Sequence, residues 1–317
     1  MKNKKNTLIQ TGILVALGLA TLLSIILPQI PDVRQAAPML EISVILRDSD
    51  STLWSNVRLG MEQAAGELGA ELRFLTLATA NSPDEQEELI GREAEGGADG
   101  LIVVSADPEQ LSDRRKELLG QIPLLAMESE IAGAALTVAP DNRAVGEQLA
   151  RAALEDWSGG TILLLDTGAG STGVAQRLDG AEQVLLQAGV PVQRRIVAAE
   201  TLGSVLAAFL QETGAVQVMG FEPAATERLV EARAMLNFTQ PAYGVGMTSA
   251  IAAALERGNL SAVVAWSDYA AGYLAAEGAV RAARGLAVQA EVLPFFLLRG
   301  EDVYDSDNQK LLFPVTS

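Results

Sequence analysis

Asp48, Asp50, Asp107 and Glu128 each stand at or just beyond the end of a short apolar run. Trp54 and Trp266 stand where such runs pass into helix-length segments. Carboxylates so placed can accept hydrogen bonds from the hydroxyls of a sugar-like ring, or can hold a small cation. An indole face suits either, by covering C–H groups or by attracting positive charge to its quadrupole. In open α/β sheets ligands bind at the carboxyl edge of the strands, which is where these residues fall. Asp107 precedes Pro108, the pattern of a helix N-cap followed by proline, so capping accounts for it. Asp50 and Glu128 have no such pattern. Core or rim packing would account for the tryptophans equally well.

Two other motifs name different chemistries. LLLDTGA (163–169) resembles the core of an aspartic protease motif and nominates Asp166. That chemistry needs a twin aspartate sharing one proton in an all-β surround, whereas this run feeds a helix. Overlapping it, GAGSTG (168–173) fits G-x-G-x-x-G between strand and helix, where a pyrophosphate could approach helix N-terminal amides. The motif is not in the first strand–helix unit, and the acid that should hold a ribose comes late, at Glu200. A turn serving some polar ligand is favoured over a dinucleotide site, and an NAD-dependent oxidoreductase is the lesser alternative. The chain has no histidine and no cysteine, which removes Ser-His and Cys-His nucleophiles and ordinary zinc or copper sites. No cofactor, metal or enzymatic activity is expected.

The elements that must position these residues follow from hydropathy. Apolar runs at 41–46, 71–77, 100–105 and 122–127 alternate with helix-length segments, and the pattern restarts after 134–140 with runs at 161–166, 190–198, 215–220, 241–247 and 260–266. Such alternation signals βαβ units on parallel sheets with buried central strands. The fold class is α/β, with two Rossmann-like lobes joined by a multi-strand hinge. The first lobe is expected over 40–140 plus about 267–292, the second over 141–266 plus about 293–317. A formal charge of −17 and the lack of any basic cluster behind the N-terminus argue against nucleic acid as a partner.

Leu8 to Leu27 form one uncharged apolar run behind Lys2, Lys4 and Lys5. Twenty residues at helical rise span roughly 30 Å, the thickness of a bilayer core. Residues 1–30 are therefore expected to be a transmembrane anchor with its lysines on the cytoplasmic side, followed by a linker at 31–39. This places the body on the extracytoplasmic face of the membrane. Cleavage near Ala36 or Ala37 would instead release it as a secreted or periplasmic protein.

The order of strands and loops over residues 40 to 300 resembles the type I periplasmic-binding-protein family, in particular the ribose-binding-like solute receptors of ABC importers. DSDSTLWSNVRLGMEQAAGELG (48–69) follows that family's polar turn, aromatic pair and helix, with Asp50 and Ser51 in the turn and Trp54 in an aromatic position. IPLLAMES (122–129) resembles its "IPVI-x-x-D" strand, which puts Glu128 where a hydroxyl-binding Asp usually stands and Ser129 where an Arg often follows. Asp141-Asn142 matches the D-N at the first crossing between lobes. AGSTGVAQRLDG (169–180) resembles the "G-T-S-x-x-R-x-R-x-x-G" segment and keeps Arg177 and Gly180.

The departures bear on the ligand. A ligand-gripping Arg falls on Ala175, the Asn-Asp pair becomes Gly220, Phe221 and Glu222, the G-F-D-G segment becomes Gly244 to Met247, and a site-closing Gln falls on Trp266. What the resemblance implies is a receptor whose lobes close on a small ligand, with candidate contacts at Asp50, Ser51, Trp54, Glu128, Ser129, Asn142, Phe221, Met247 and Trp266. The ligand is a sugar, a polyol or a small cation, with a sugar-like molecule favoured. The partner reading the closed form is an ABC permease or, alternatively, a membrane sensor.

Overall fold

Alternating apolar runs and helical segments resolve into two parallel sheets, each covered by helices on both faces. The computed structural model describes residues 39–167, 170–198, 201–236, 238–289, 292–306 and 308. The apolar run at 8–27, expected as an anchor, lies outside these residues. Among the described residues no helix is long and apolar enough to cross a membrane.

The first lobe opens with β1 (Leu40–Ile45), α1 (Ser55–Leu68), β2 (Ala70–Leu75), α2 (Pro83–Glu95), β3 (Gly100–Val104), α3 (Pro108–Leu119), β4 (Leu124–Met127) and β5 (Leu136–Pro140). The chain then builds the second lobe from α4 (Asn142–Glu155), β6 (Thr161–Asp166), α5 (Thr172–Gln187), β7 (Val192–Ile196), α6 (Leu202–Thr213), β8 (Ala215–Gly220), α7 (Pro223–Leu236), β9 (Ala242–Val245), α8 (Ser249–Glu256) and β10 (Ala262–Trp266). It returns for α9 (Asp268–Ala283) and β11 (Val292–Leu293), then crosses again for β12 (Phe295–Leu298). The sheet orders are β11-β5-β4-β3-β1-β2 and β12-β10-β9-β8-β6-β7. Every pairing is parallel except β10 with β12.

Period-two alternation sends successive strand residues to opposite faces. Val44, Ile102, Leu125 and Val138 pack with Met61 and Ala64 of α1 and Ala275 and Ala279 of α9. Their neighbours Ile45, Leu101, Val103 and Ala126 pack on the other face with Ile90 and Leu111. The second sheet repeats the scheme, with Leu163, Leu165 and Val263 on the α6–α8 side and Ile162, Leu164 and Val264 on the side of α4 and α5. The helix after each crossing therefore seats on the lobe it enters, α4 on the second and α9 on the first.

The aspartic-protease surround is not formed. Asp166 ends β6, between β7 and β8 of a parallel sheet, and its Oδ2 lies 2.7 Å from Nη2 of Arg194. In GAGSTG, residues 168 and 169 lie outside the described residues, but the roles of Gly170 and Gly173 are clear. A Cβ on Gly170 would stand 2.3 Å from the Ala106 carbonyl oxygen, and one on Gly173 2.5 Å from that of Glu128. These glycines let the second lobe approach the first. The amides that a pyrophosphate would need are also taken: Gly173 N–H donates to Ser129 Oγ and Val174 N–H to Ser171 Oγ. The phosphate-binding alternative gives way to packing between the lobes.

Candidate functional site

Strand β4 ends at Met127, and the next residue turns sharply. Glu128 has φ +66°, left-handed backbone for a residue with a side chain, which costs on the order of 1–3 kcal/mol and persists only where the surroundings enforce it. Here they do. Its N–H donates to the Val138 carbonyl, and its own carbonyl accepts from Asn142 Nδ2 at 2.8 Å. The turn aims the carboxylate between the lobes, onto two arginines.

Arg47 follows β1 and is buried. Its Nε donates to Glu128 Oε2 at 3.0 Å, its Nη1 to Asn81 Oδ1 at 2.8 Å, and its Nη2 to Glu222 Oε2 at 2.5 Å. Glu222 precedes α7 in the second lobe, so one guanidinium ties the lobes together. Arg177 of α5, fully buried, approaches Glu128 Oε1 at 3.4 Å and donates to Asn142 Oδ1 at 2.8 Å and the Phe221 carbonyl at 3.0 Å. Among the described residues its Nη2 has no hydrogen-bond partner, but the guanidinium lies 5.0 Å from the Trp266 ring centroid, a cation–π contact.

Electrostatics follow from this packing. Burial alone would raise the Glu128 carboxyl; Arg47 and then Arg177 overcome it and hold the group below the ordinary carboxylate range. Burial would lower Arg47, yet Glu128, Glu222 and Asp48 together hold it well above its usual value. Burial pulls Arg177 down, with Glu128 opposing. Asp48 shifts up because burial outweighs Arg47 and the hydrogen bond from Trp54 Nε1 at 2.8 Å. Asp268, the first residue of α9 behind its N-cap Ser267, is pushed up to about 7 by burial, with Arg177 the only opposing charge.

These groups enclose a cavity of about 50 Å³ between the lobes, lined by Arg47, Asp48, Trp54, Glu128, Glu222, Trp266 and Asp268 among apolar neighbours. A cavity of about 150 Å³ is what accommodates benzene. A pyranose therefore enters only if the lobes part or the lining moves, and Arg47 bridges the gap that must open.

Of the residues nominated from sequence, Trp54, Glu128 and Trp266 line this cavity. Asn142 and Ser129 stand one step behind it: Asn142 joins Glu128 to Arg177, and Ser129 Oγ lies 2.8 Å from Ser171 Oγ, which donates to Glu128 Oε2. Asp50 and Ser51 are exposed and outside the lining. Asp50 caps the following 3-10 turn through the Thr52 amide, and that bond, followed by Arg228 of the second lobe, holds its carboxyl low. Phe221 and Met247 do not line it either; they are buried in the second lobe, where apolar side chains pack into the core. Asp48, picked out in the sequence by its place behind a strand, lines the cavity as well, whereas sequence reasoning missed Arg47, Glu222 and Asp268 as lining residues.

Two lobes crossed three times, with an acidic, tryptophan-flanked cleft at the strand ends, define the type I class of two-lobed binding proteins. The chain belongs to the periplasmic binding protein domain family, whose model matches residues 42–287. Among solved structures, an ABC transporter solute-binding protein from Agrobacterium vitis bound with α-D-tagatopyranose superposes with a TM-score of 0.79 at 18% identity, over 87% of this chain and 100% of that one. A carbohydrate transporter solute-binding protein from Agrobacterium radiobacter in complex with D-arabinose gives 0.80 at 17% identity, over 87% and 100%. One from Mycobacterium smegmatis with bound glycerol gives 0.74 at 20% identity, over 84% and 96%. No curated protein sequence matches. At these identities the structural likeness carries the fold.

Proposed function

We propose that this protein is an extracytoplasmic solute receptor, tethered through residues 8–27, that closes on a small polar, sugar-like ligand and presents it to an ABC importer. The observation that carries the proposal is the cavity between the lobes, where Trp54 and Trp266 stand beside Asp48, Glu128 and Asp268 at the carboxyl ends of both sheets. Carboxylates with an indole face are the equipment for ring hydroxyls and C–H groups, and the relatives from Agrobacterium hold sugars.

Work is done by closure rather than by chemistry. Contacts made by a ligand to both lobes shift the population toward the closed form, and a hinge of three chain crossings permits the motion. The chain has no histidine or cysteine and so offers no Ser-His or Cys-His nucleophile pair, which supports the binding reading.

A thermal-shift screen of the full chain against sugars, polyols and NAD tests the proposal. A ligand at a hundred times its dissociation constant adds about 2.7 kcal/mol to the folded form. The proposal expects a sugar or polyol to raise the midpoint and to alter tryptophan emission. A response to NAD alone would sink it.

A further inference from the structure

The polar capacity left in the cavity is one-sided. Each nitrogen of Arg47 already has an acceptor, and the Trp54 N–H is spent on Asp48. That leaves the Trp266 indole as the remaining side-chain donor of the lining. Against it stand one oxygen of Asp48 and the whole carboxylate of Asp268, which receives no hydrogen bond among the described residues. Charge points the same way. Four carboxyl groups, Asp48, Glu128, Glu222 and Asp268, line the site with one guanidinium, Arg47, while Arg177 stands behind the lining against Glu128 and the Trp266 ring, with its Nη2 the one donor there still open among the described residues.

Resting on the receptor reading above, we infer that the ligand is a cation, a small amine such as an amino sugar, whose ammonium sits on Asp268 with the tryptophan faces beside it. A neutral polyol would satisfy hydrogen bonds at the open oxygens of Asp48 and Asp268, whereas an ammonium supplies donors and charge together. Asp268 faces Arg177 from α5 and shares the cavity with Arg47, Asp48, Glu128 and Glu222. Its upward shift by burial means that an incoming cation expels a proton from it near neutral pH, which a neutral sugar has little reason to do.

The test is calorimetry on the full chain with matched amine and hydroxyl probes: D-glucosamine with D-glucose, D-galactosamine with D-galactose, and ethanolamine with ethylene glycol. Titrations in buffers of different ionisation enthalpy count the protons released. The inference expects at least one amine to bind tenfold or more tighter than its hydroxyl partner with proton release at pH 7, and Asp268→Asn to erase both effects. A hydroxyl probe that binds as tightly as its amine would overturn the amine inference and leave the receptor standing. Silence from all six probes, in calorimetry and in melting midpoint, would overturn both.

Discussion

Arg47 in the first lobe and Glu222 in the second meet through Nη2 and Oε2 at 2.5 Å, each side chain 3% exposed. Neither charge has water to fall back on, so parting the lobes exchanges a desolvated ion pair for two hydrated ions. That exchange sets the cost of opening the cleft before a ligand can enter. Buried pairs are costly to break from one side because the surviving charge is stranded.

Arg47→Met should therefore destabilise the fold by about 3–5 kcal/mol, since it leaves Glu128 with Arg177 alone and Glu222 with no arginine. Adding Glu222→Met should recover at least half of that loss. Urea denaturation of the single and double variants checks both statements. A single variant as stable as the parent would show that the pair does not hold the lobes.

Stability should depend on pH through Asp268. Its folded-state value near 7, against an ordinary 3.8, means that the folded form keeps a proton the unfolded chain has released. Stability then declines as pH rises from about 4 to about 7 and is flat beyond, with Asp48 acting in the same sense. Glu128 works oppositely: its contribution is present above 4.5 and is lost as pH falls through its lowered folded value. Asp268→Asn should raise stability at pH 8 by on the order of 2 kcal/mol and remove the decline between 4 and 7. Thermal melts across that range provide the measurement.

Gly146 sets the distance between α4 and α5. A Cβ there would lie 1.8 Å from the Arg177 carbonyl oxygen, so Gly146→Ala must push the helices apart and carry Arg177 away from Glu128. The expected loss is about 1–3 kcal/mol, together with weaker binding of any cleft ligand. A variant with parental affinity would detach Arg177 from the site.

Asp166→Asn should leave ligand affinity unchanged, because Asp166 lies outside the cavity lining and pairs with the half-buried Arg194. The stability change should stay within about 1 kcal/mol. Binding lost in this variant would return Asp166 to consideration as a functional group.

The alternation of apolar runs was legible because buried parallel strands must be continuously apolar while their helices are not. Trp54, Glu128 and Trp266 were legible because strand ends in such sheets face the cleft. Asp50 misled because a carboxylate in a polar turn looks alike whether it caps a turn or meets a ligand. Phe221 and Met247 misled because position relative to a family says where a residue stands, not whether an apolar substitute turns inward. Arg47 was hidden by distance, its partner Glu222 lying 175 residues away. One signal was available, a basic residue directly behind the fully apolar end of β1. Asp268 resembled an ordinary acidic helix start, which satisfies the helix dipole without any ligand; only its place in the cavity lining distinguishes it.

The measurement that bears most directly on the lobe-closing claim is a spin-label distance across the cleft mouth. The chain has no cysteine, so Ser51→Cys and Arg228→Cys introduce a unique pair, both exposed and one on each lobe. Pulsed dipolar spectroscopy on that background should give a short, narrow distance distribution, and adding Arg47→Met should lengthen and broaden it. The same distribution with and without Arg47 would contradict the claim that this residue holds two separable lobes together.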